Sequence, residues 1–331
     1  MRDWQEMTKE TVKGNYENRQ GKKEGTRRKI DAHLHLAQVV AGYCRRGELR
    51  AVGGGKAMWG NGEIFQLFPP EFGDLCFTAE RALEIMEENQ VEKAVLMQGS
   101  MYGFQNQYHI QVMKKYPDRF CPSCTVDPFM THYLETLKFY LKEQKFRAVK
   151  FEVSSGGGLM GCHDPFHLAG ERMMEIYRLI ESCQGVVALD VGDISMPSHQ
   201  PQALAKIAGK CPGLKLVICH LLAPVRGRQK EWRESLELLN QENVWFDIAA
   251  LPKIMEPDSY PYPETMEYLA RAKEILGAEK LLWGTDAPYA AVRDSYGHLC
   301  DYLEKSDLFT EEELEKVYYH NSQKVYFSFQ A

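Results

Sequence analysis

Two histidines lie two positions apart near the start of the chain, in the segment IDAHLHL. If this segment is a β-strand, His33 and His35 share one face, because side chains two residues apart on a strand point the same way. Two neutral imidazoles side by side can chelate a divalent transition metal. Ten histidines in 331 residues give roughly 0.3 such pairs by chance, so the pair needs support from the rest of the sequence.

That support comes from ionisable residues at the ends of other apolar segments. His220 follows LKLVIC, Asp286 follows LLWGT, Asp190 follows VVAL, and Lys150 and Glu152 end FRAVKFE. A buried charge is costly unless it is paired or bound to a metal. Any one of these residues could be a satisfied structural group, but the set as a whole indicates a shared site.

From residue 30 onward, short apolar segments alternate with longer amphipathic ones. Strands are predicted at 29–35, 91–97, 120–126, 146–153, 185–191, 214–220, 243–249 and 280–286. Helices are predicted at 78–90, 131–144, 171–183, 200–211, 232–241 and 263–277, the first with Thr78 as N-cap. This alternation predicts a parallel sheet with crossover helices. Eight strands favour a closed (β/α)8 TIM barrel, with a doubly wound sheet as the alternative.

Two connections are long and would emerge at the carboxyl ends of the barrel strands. Residues 36–77 follow the first strand and include GGGKAMWGNG, and residues 153–168 follow the fourth. Loops of this length in a compact domain are usually functional. We expect the first to close over the site, and we expect His163 in the second to reach the substrate.

These segments make the chain resemble the amidohydrolase-related family of the amidohydrolase superfamily. This family includes aminocarboxymuconate-semialdehyde decarboxylase, aromatic-acid decarboxylases and related hydrolases, lactonases and hydratases. The resemblance covers about residues 30–328, through the segments IDAHLHL, QVEKAVLMQ, KKYPDRFCPSCTVDP, FRAVKFE, LKLVICHLLAP, LLWGTDAPY and YYHNSQKVYFSF.

The resemblance implies a site with one divalent metal ion, zinc in the first place and manganese as the alternative. His33 and His35 are then metal ligands, Asp286 is a ligand or the general base, and His220 is a further ligand or an acid/base group. Asp190 stands where the family usually has a metal-binding histidine on the fifth strand. A carboxylate there can ligate and favour a harder cation such as Mn²⁺, or it can mark weakened or lost metal binding.

Lys150 and Glu152 share a strand face and leave three interpretations open. Lys150 can be carboxylated and bridge two metals, as in binuclear superfamily members, or Glu152 can ligate directly. The interpretation that we favour is a neutralising role for Lys150 beside Asp190 or Glu152. Arginines that could hold a substrate carboxylate in a bidentate manner are Arg45, Arg46, Arg226, Arg228 and Arg293.

From the resemblance we expect a metal-dependent hydrolase that acts on an ester, lactone or amide bond of a small organic acid. A non-oxidative decarboxylase or hydratase would use the same ligands, so a lyase is the first alternative. The second alternative is a barrel without metal whose catalysis is lost or altered.

Charge and composition argue against several other classes of protein. The formal net charge is −6 with acids and bases mixed along the chain, which does not indicate a nucleic-acid partner. No apolar run approaches the ~18 residues that span a bilayer. Nine scattered cysteines suit a reducing cytoplasm better than a disulfide framework. We expect Cys121 and Cys124, which form a CxxC, to be structural.

The first 29 residues carry nine Lys/Arg against five Asp/Glu and differ from the rest of the chain. We predict a charged N-terminal extension, residues 1–29, ahead of a barrel that spans 30–331. The extension is expected to be a partly ordered tail or a subunit-contact arm, and a homodimer is compatible with the family resemblance.

Overall fold

The computed structural model describes residues 27–44 and 46–328. The predicted N-terminal extension therefore lies outside the described residues, except for its last three. Arg27 and Arg28 form ion pairs with Glu311 and Glu92, both at 2.7 Å. These last residues of the predicted extension therefore already belong to the folded domain.

Two sheets contain the strands of the described chain. The strands are β1 (Lys29–His35), β2 (Ala41–Cys44), β3 (Gly47–Gly53), β4 (Lys56–Trp59), β5 (Ile64–Gln66), β6 (Val91–Met97), β7 (Phe120–Cys124), β8 (Ala148–Glu152), β9 (Val186–Asp190), β10 (Lys215–Ile218), β11 (Val244–Asp247) and β12 (Leu281–Leu282). Eight of them form one sheet in the order β1-β6-β7-β8-β9-β10-β11-β12, with parallel neighbours throughout. All eight predicted barrel strands are confirmed.

Hydrogen bonds between β1 and the segment that follows β12 close the barrel. Ala32 N donates to Trp283 O at 2.9 Å, and His35 N donates to Ala287 O at 2.8 Å. Only two residues of the last predicted strand form a regular ladder, because the chain then turns to pair with β1. The (β/α)8 barrel is confirmed, and the doubly wound alternative is excluded by this closure.

Helices alternate with the barrel strands along the chain. They are α1 (Ala79–Glu88), α2 (Asn106–Lys115), α3 (Tyr133–Lys138, continued by a π-helix at Phe139–Glu143), α4 (Leu159–Cys162), α5 (Glu171–Ser182), α6 (Pro201–Lys210), α7 (Gln229–Leu239), α8 (Leu251–Ile254), α9 (Pro263–Leu276), α10 (Tyr296–Asp301) and α11 (Glu311–Glu315). The six predicted helices are present, and Thr78 caps α1 by accepting a hydrogen bond from Arg81 N. No helix of the described residues has both the length and the apolar character needed to cross a membrane.

The long connection after β1 is not the loop that the sequence indicated. It contains a four-stranded antiparallel sheet in the order β2-β3-β4-β5. Gly53, Gly54 and Gly55 all have positive φ in the turn between β3 and β4, a conformation that glycine adopts without strain. The alternation of exposed and buried residues in β2 and β4 is the strand signal. Since β2 and β4 have only four residues each, this signal is weak beside the glycines, which are typical of a loop.

A small cluster of apolar side chains fills the interior of the barrel. It includes Ala148 of β8, Ala188 of β9 and Trp245 of β11, and Val325 and Tyr326 from the C-terminal segment join it. Side chains two positions further along a strand continue the same face. Those residues are Lys150, Asp190 and Asp247, so the apolar interior changes to charged groups at the carboxyl ends of the strands.

The cysteines of the CxxC segment lie on β7 and are buried, and neither forms a disulfide. Burial raises the pKa of the Cys121 thiol to about 12 and raises that of Cys124 as well. Both thiols are therefore neutral, which agrees with a structural role.

Asp31 stabilises the seam at which the barrel closes. Its buried carboxylate accepts hydrogen bonds from Thr285 N at 2.9 Å, Thr285 Oγ1 at 2.6 Å and Tyr296 OH at 3.0 Å. It also accepts from His33 N at 3.1 Å. One side chain thus joins β1, the segment after β12 and α10.

Replacement of Asp31 by Asn is expected to lower the free energy of unfolding by about 1–3 kcal/mol, because a donor amide then faces donor groups in a buried position. Urea denaturation followed by circular dichroism measures this change. Asp307→Asn, at an exposed position, is the control and should stay within about 0.5 kcal/mol of the wild type. Equal stability of the two variants would contradict the role assigned to Asp31.

Candidate active site

Most of the predicted site residues meet at one cavity of about 160 Å³ at the carboxyl ends of the barrel strands. We call it the metal pocket. It is lined by His33, His35, Gly99, Met101, Tyr102, Lys150, Glu152, Asp190, His220, Asp286 and Tyr289. Residues more than 250 positions apart in sequence come together there because all strands of a parallel barrel end at the same rim.

Three of these residues present donor atoms close together. One ligand atom each from His33, His35 and Asp286 lies within 4.8 Å of the others. Asp286 Oδ1 is 3.0 Å from His35 Nε2 and 3.6 Å from His33 Nε2. Two imidazoles and a carboxylate are a common ligand set for zinc and other divalent ions.

The imidazoles of the pocket are oriented by acceptors at their Nδ1 atoms, which leaves Nε2 for the pocket. Such partners fix the ring and its tautomer in metal sites. The acceptors, each at 3.0 Å, are Asp247 Oδ2 for His33, the Met97 carbonyl for His35 and the Ala249 carbonyl for His220.

Two observations show that a cation fits this arrangement. Burial lowers the pKa of His33 to about 4, so its ring is neutral, and its buried Nε2 has no hydrogen-bond partner within the described chain. His35 faces acceptors at both ring nitrogens, the Met97 carbonyl and the Asp286 carboxylate. A positive charge, either a proton or a metal ion, must therefore lie between His35 Nε2 and Asp286.

Asp247 is a site residue that the sequence analysis missed. It is fully buried at the end of β11, where its Oδ1 accepts from His220 N at 2.8 Å and from Ala249 N at 3.2 Å. Burial alone would raise its pKa, but its interactions with the His33 and His220 imidazoles and its hydrogen bonds from His33 and His220 N lower it, so the carboxylate stays ionised. The criterion that found Asp190 and Asp286, a polar residue ending an apolar strand, also applies to VWFD and would have found it.

His220 and Asp286 both adopt the left-handed backbone region, with φ of 56° and 59°. The left-handed residues continue from His220 through Ala223. Non-glycine residues rarely adopt this conformation, and it persists where surrounding contacts enforce it. Here the bonds from His220 N to Asp247 and from Asp286 N to His33 O, the latter 2.8 Å long, supply those contacts.

Asp190, which replaces the expected histidine, lies at the pocket but is also held by backbone. Its Oδ2 is 3.8 Å from His220 Nε2, and its Oδ1 accepts from Gly192 N at 2.9 Å. Glu152 is likewise engaged, because its Oε2 accepts from Ser100 N at 2.7 Å and Ser100 Oγ at 2.8 Å.

Lys150 is 2% exposed and forms no ion pair within 4.0 Å among the described residues. Burial lowers the pKa of its ammonium group, but the negative charges around it, including Asp190 and Glu152, outweigh burial and raise that pKa. The neutralising and the bridging role of Lys150 both stay predictions.

A second cavity of about 450 Å³ adjoins the metal pocket and shares Gly99, Lys150 and Glu152 with it. We call it the outer cavity. Its other lining residues are Ala41, Tyr43, Gln98, Ser100, Gly103, Phe104, Thr125, Asp127, Gly158, Leu159, Cys162 and His163. His163 is thus placed beside the site, as the sequence suggested.

The arginines considered as carboxylate clamps are not part of either lining, as far as the described residues extend. Arg293 has a side chain that is 70% exposed, and Arg45 lies outside the described residues. All four described arginines are paired with acids at the surface: Arg46 with Glu63, Arg226 with Glu264, Arg228 with Glu231 and Arg293 with Glu256.

Several solved structures share this architecture. An amidohydrolase from Burkholderia multivorans with bound zinc has a TM-score of 0.68 at 12% identity, over 90% of this chain and 99% of that chain. A probable 2-pyrone-4,6-dicarboxylic acid hydrolase from Acinetobacter baumannii with citric acid bound has a TM-score of 0.62 at 19% identity, over 91% and 99%. A dihydroxybenzoic acid decarboxylase from Polaromonas with bound manganese has a TM-score of 0.56 at 15% identity, over 78% and 88%. At these identities the similarity shows the fold.

Two comparisons of sequence identify the family to which the chain belongs. The chain is 30% identical over 112 residues to an L-fucono-1,5-lactonase from Burkholderia ambifaria, and the match covers 32% of this chain and 36% of the lactonase. The chain thus spans about a third of the length of that relative. The family model described as Amidohydrolase matches residues 30–327. Since this range takes in the whole barrel, the chain belongs to the amidohydrolase family, which confirms the family expected from its motifs.

Proposed function

We propose that this protein is a metal-dependent hydrolase that opens an ester, lactone or amide bond of a small organic acid. The observation that carries the proposal is the convergence of His33, His35 and Asp286, with the buried Nε2 of His33 left without a partner in the described chain. The lactonase and the dicarboxylic acid hydrolase among the similar proteins support hydrolysis.

His33, His35 and Asp286 would hold the ion, with Asp190 or His220 as a further ligand. When bound, a divalent ion supplies a Lewis acid that polarises a carbonyl group and lowers the pKa of water. Two imidazoles favour zinc, whereas the oxygen of Asp190 adds hard character and leaves manganese as the alternative. Both metals occur in structurally similar proteins.

Asp286 would accept the proton of the attacking water. Burial alone would raise its pKa, but the hydrogen bond from His35 and the nearby imidazoles lower it to about 2, so the carboxylate is ionised at neutral pH. The hydrogen bond from Asp286 N to His33 O fixes the backbone that presents this carboxylate to the pocket. A positioned carboxylate of this kind can act as general base.

His220 and Lys150 act on the negative charge that hydrolysis produces. Burial lowers the pKa of His220, but Asp247, Asp190 and Asp286 outweigh burial and raise it, so Nε2 can donate a proton to the leaving group. Lys150 lies where the two cavities meet. Its ammonium group would stabilise the carbonyl oxygen as charge develops, and then the product carboxylate.

A lyase is the second candidate, because a decarboxylase is among the proteins of the same fold. The same side chains could hold a carboxylic acid and protonate carbon in place of hydrolysing an ester. The products separate the two reactions, since hydrolysis of a lactone releases acid and decarboxylation releases CO2.

The metal site can be tested by elemental analysis of protein purified without a histidine tag. The wild type is expected to contain about one divalent ion per chain, and the His33→Ala/His35→Ala double variant at least about tenfold less, because two ligands are lost. His320→Ala, an exposed histidine, is the control. Less than about 0.2 ion per wild-type chain after supplementation with Zn²⁺ or Mn²⁺ would contradict the proposal, given how tightly such sites hold metal.

Asp247→Asn is expected to weaken metal binding by about 10- to 100-fold without removing a ligand, because the amide no longer fixes the His33 ring as a carboxylate does. Competition with a chromophoric chelator measures the affinity. Asp118→Asn, on the exposed surface, should bind metal as the wild type does. Unchanged affinity in a folded Asp247→Asn protein would show that the carboxylate does not position His33.

Asp286→Asn is expected to reduce kcat by about 10²–10⁴-fold, because the amide cannot accept a proton. The assay measures acid release and CO2 release in parallel over lactones, esters, amides and aromatic acids. Acid release that depends on Asp286 supports the hydrolase. Metal-dependent CO2 release without acid release would establish the lyase instead.

A further inference from the structure

The outer cavity offers few charges with which to recognise a substrate. Among the described residues that line either cavity, Lys150 is the one side chain with a fixed positive charge. The carboxylates that line them are Asp127, Glu152, Asp190 and Asp286. Even with a divalent ion bound, the positive charges of the ion and Lys150 do not exceed the negative charges of these carboxylates. A substrate with carboxylate groups in addition to the one that hydrolysis forms would therefore meet a negative field.

Most of the side chains that line the outer cavity are uncharged. Gln98, Ser100 and Thr125 line it on the polar side, and Tyr43 and Phe104 add aromatic surface. Gln98 contributes shape rather than free hydrogen bonds, because its Nε2 donates to Ser123 O at 2.9 Å and Asn106 Oδ1 at 3.3 Å and its Oε1 accepts from Gln105 N at 2.9 Å. A cavity of this composition suits a compact ring with polar substituents.

His163 and Asp127 form a fixed pair in the wall of this cavity. His163 Nε2 lies 2.8 Å from Asp127 Oδ2, and Asp127 Oδ1 accepts from Phe129 N at 2.8 Å. The Phe129 ring packs on the imidazole at a centroid distance of 4.7 Å. The two loops that follow β7 and β8 thereby meet at one rigid point.

The pair lines the cavity and has unused hydrogen-bonding capacity. The His163 side chain is 30% exposed, and its Nδ1 forms no hydrogen bond within the described part of the chain. In a neutral imidazole whose Nε2–H donates to Asp127, Nδ1 is an acceptor. The carboxylate of Asp127 also retains lone pairs beyond its two bonds. Both groups can accept hydrogen bonds from hydroxyl groups.

We infer that the His163–Asp127 pair is a subsite for hydroxyl groups and that the outer cavity selects a neutral, hydroxylated ring over a polycarboxylate. The inference rests on the proposed function, since the reacting ester bond is taken to lie in the metal pocket. The substrate would then be a hydroxylated lactone that acquires its carboxylate only on hydrolysis, next to Lys150.

Hydrolysis of paired substrates tests this selection. δ-Gluconolactone and δ-valerolactone share a six-membered lactone ring and differ in hydroxyl groups. The ratio of their kcat/KM values, corrected for spontaneous hydrolysis, is expected to fall about tenfold in His163→Phe, which keeps an aromatic ring but loses the hydrogen bonds. His320→Phe, at an exposed histidine, should leave the ratio within about twofold of the wild type.

A preference of the wild type for 2-pyrone-4,6-dicarboxylate, the substrate named for a structural neighbour, would overturn the inference. An unchanged ratio in folded His163→Phe protein would also overturn it. Asp127→Asn provides an independent variant, which should shift the ratio in the same direction because it weakens the same subsite.

A binding measurement separates failure of the inference from failure of the proposed function. Anhydroglucitol has the hydroxylated ring without the lactone carbonyl, and tetrahydropyran lacks the hydroxyl groups too. Saturation-transfer NMR should show anhydroglucitol bound more tightly than tetrahydropyran, with a preference that falls about tenfold in His163→Phe. If both the preference for anhydroglucitol and its fall in His163→Phe are observed but no lactone is hydrolysed, the proposed function fails and the subsite is supported. If anhydroglucitol binds no better than tetrahydropyran, the subsite is refuted whatever the enzyme hydrolyses.

Discussion

The buried carboxylate of Asp247 is the interaction on which the candidate site depends. It accepts from His33 Nδ1 with one oxygen and from the backbone of His220 and Ala249 with the other. One group therefore fixes the tautomer of an imidazole from β1 and holds the left-handed turn that presents His220. An ionised carboxylate that is buried away from water is costly unless hydrogen bonds satisfy its lone pairs. All three contacts are therefore needed together to keep Asp247 ionised in this position.

Charge balance explains why this rim of the barrel needs a cation. Asp190, Asp247, Asp286 and Glu152 gather around a single buried lysine, and no described arginine lines the cavities. Lys150 offsets one of the carboxylates, and the closely spaced donors of His33, His35 and Asp286 offer a place for further positive charge. The interior below them is apolar, so the field of these groups is screened little from that side.

The fold and most of the site could be predicted because each strand and the polar residue that ends it can be recognised within one short segment. In the folded barrel these polar residues come together. Each barrel strand is an apolar segment, and polar residues at the ends of such segments must lie at one rim once the strands are parallel. Asp247 follows the same rule, but it was not predicted because its segment VWFD lies outside the motifs that carry the family resemblance. The antiparallel sheet after β1 was not predicted, because three of its four strands have four residues or fewer and its glycines resemble a loop. The arginines could not be placed, since the direction of a loop side chain depends on tertiary contacts that no spacing encodes.

The antiparallel sheet meets the barrel through backbone at very close range. Ala41 N donates to Tyr102 O and Tyr43 N donates to Ser100 O, both at 3.1 Å. A Cβ atom on Gly42 would collide with the Met101 carbonyl, and one on Gly103 would collide with the Ala41 carbonyl. This part of the wall thus has little freedom to change by insertion or backbone shift. Divergence towards new specificities would instead proceed by exchange of the neighbouring side chains Tyr43 and Phe104, which makes these two positions the natural starting points for a directed-evolution library.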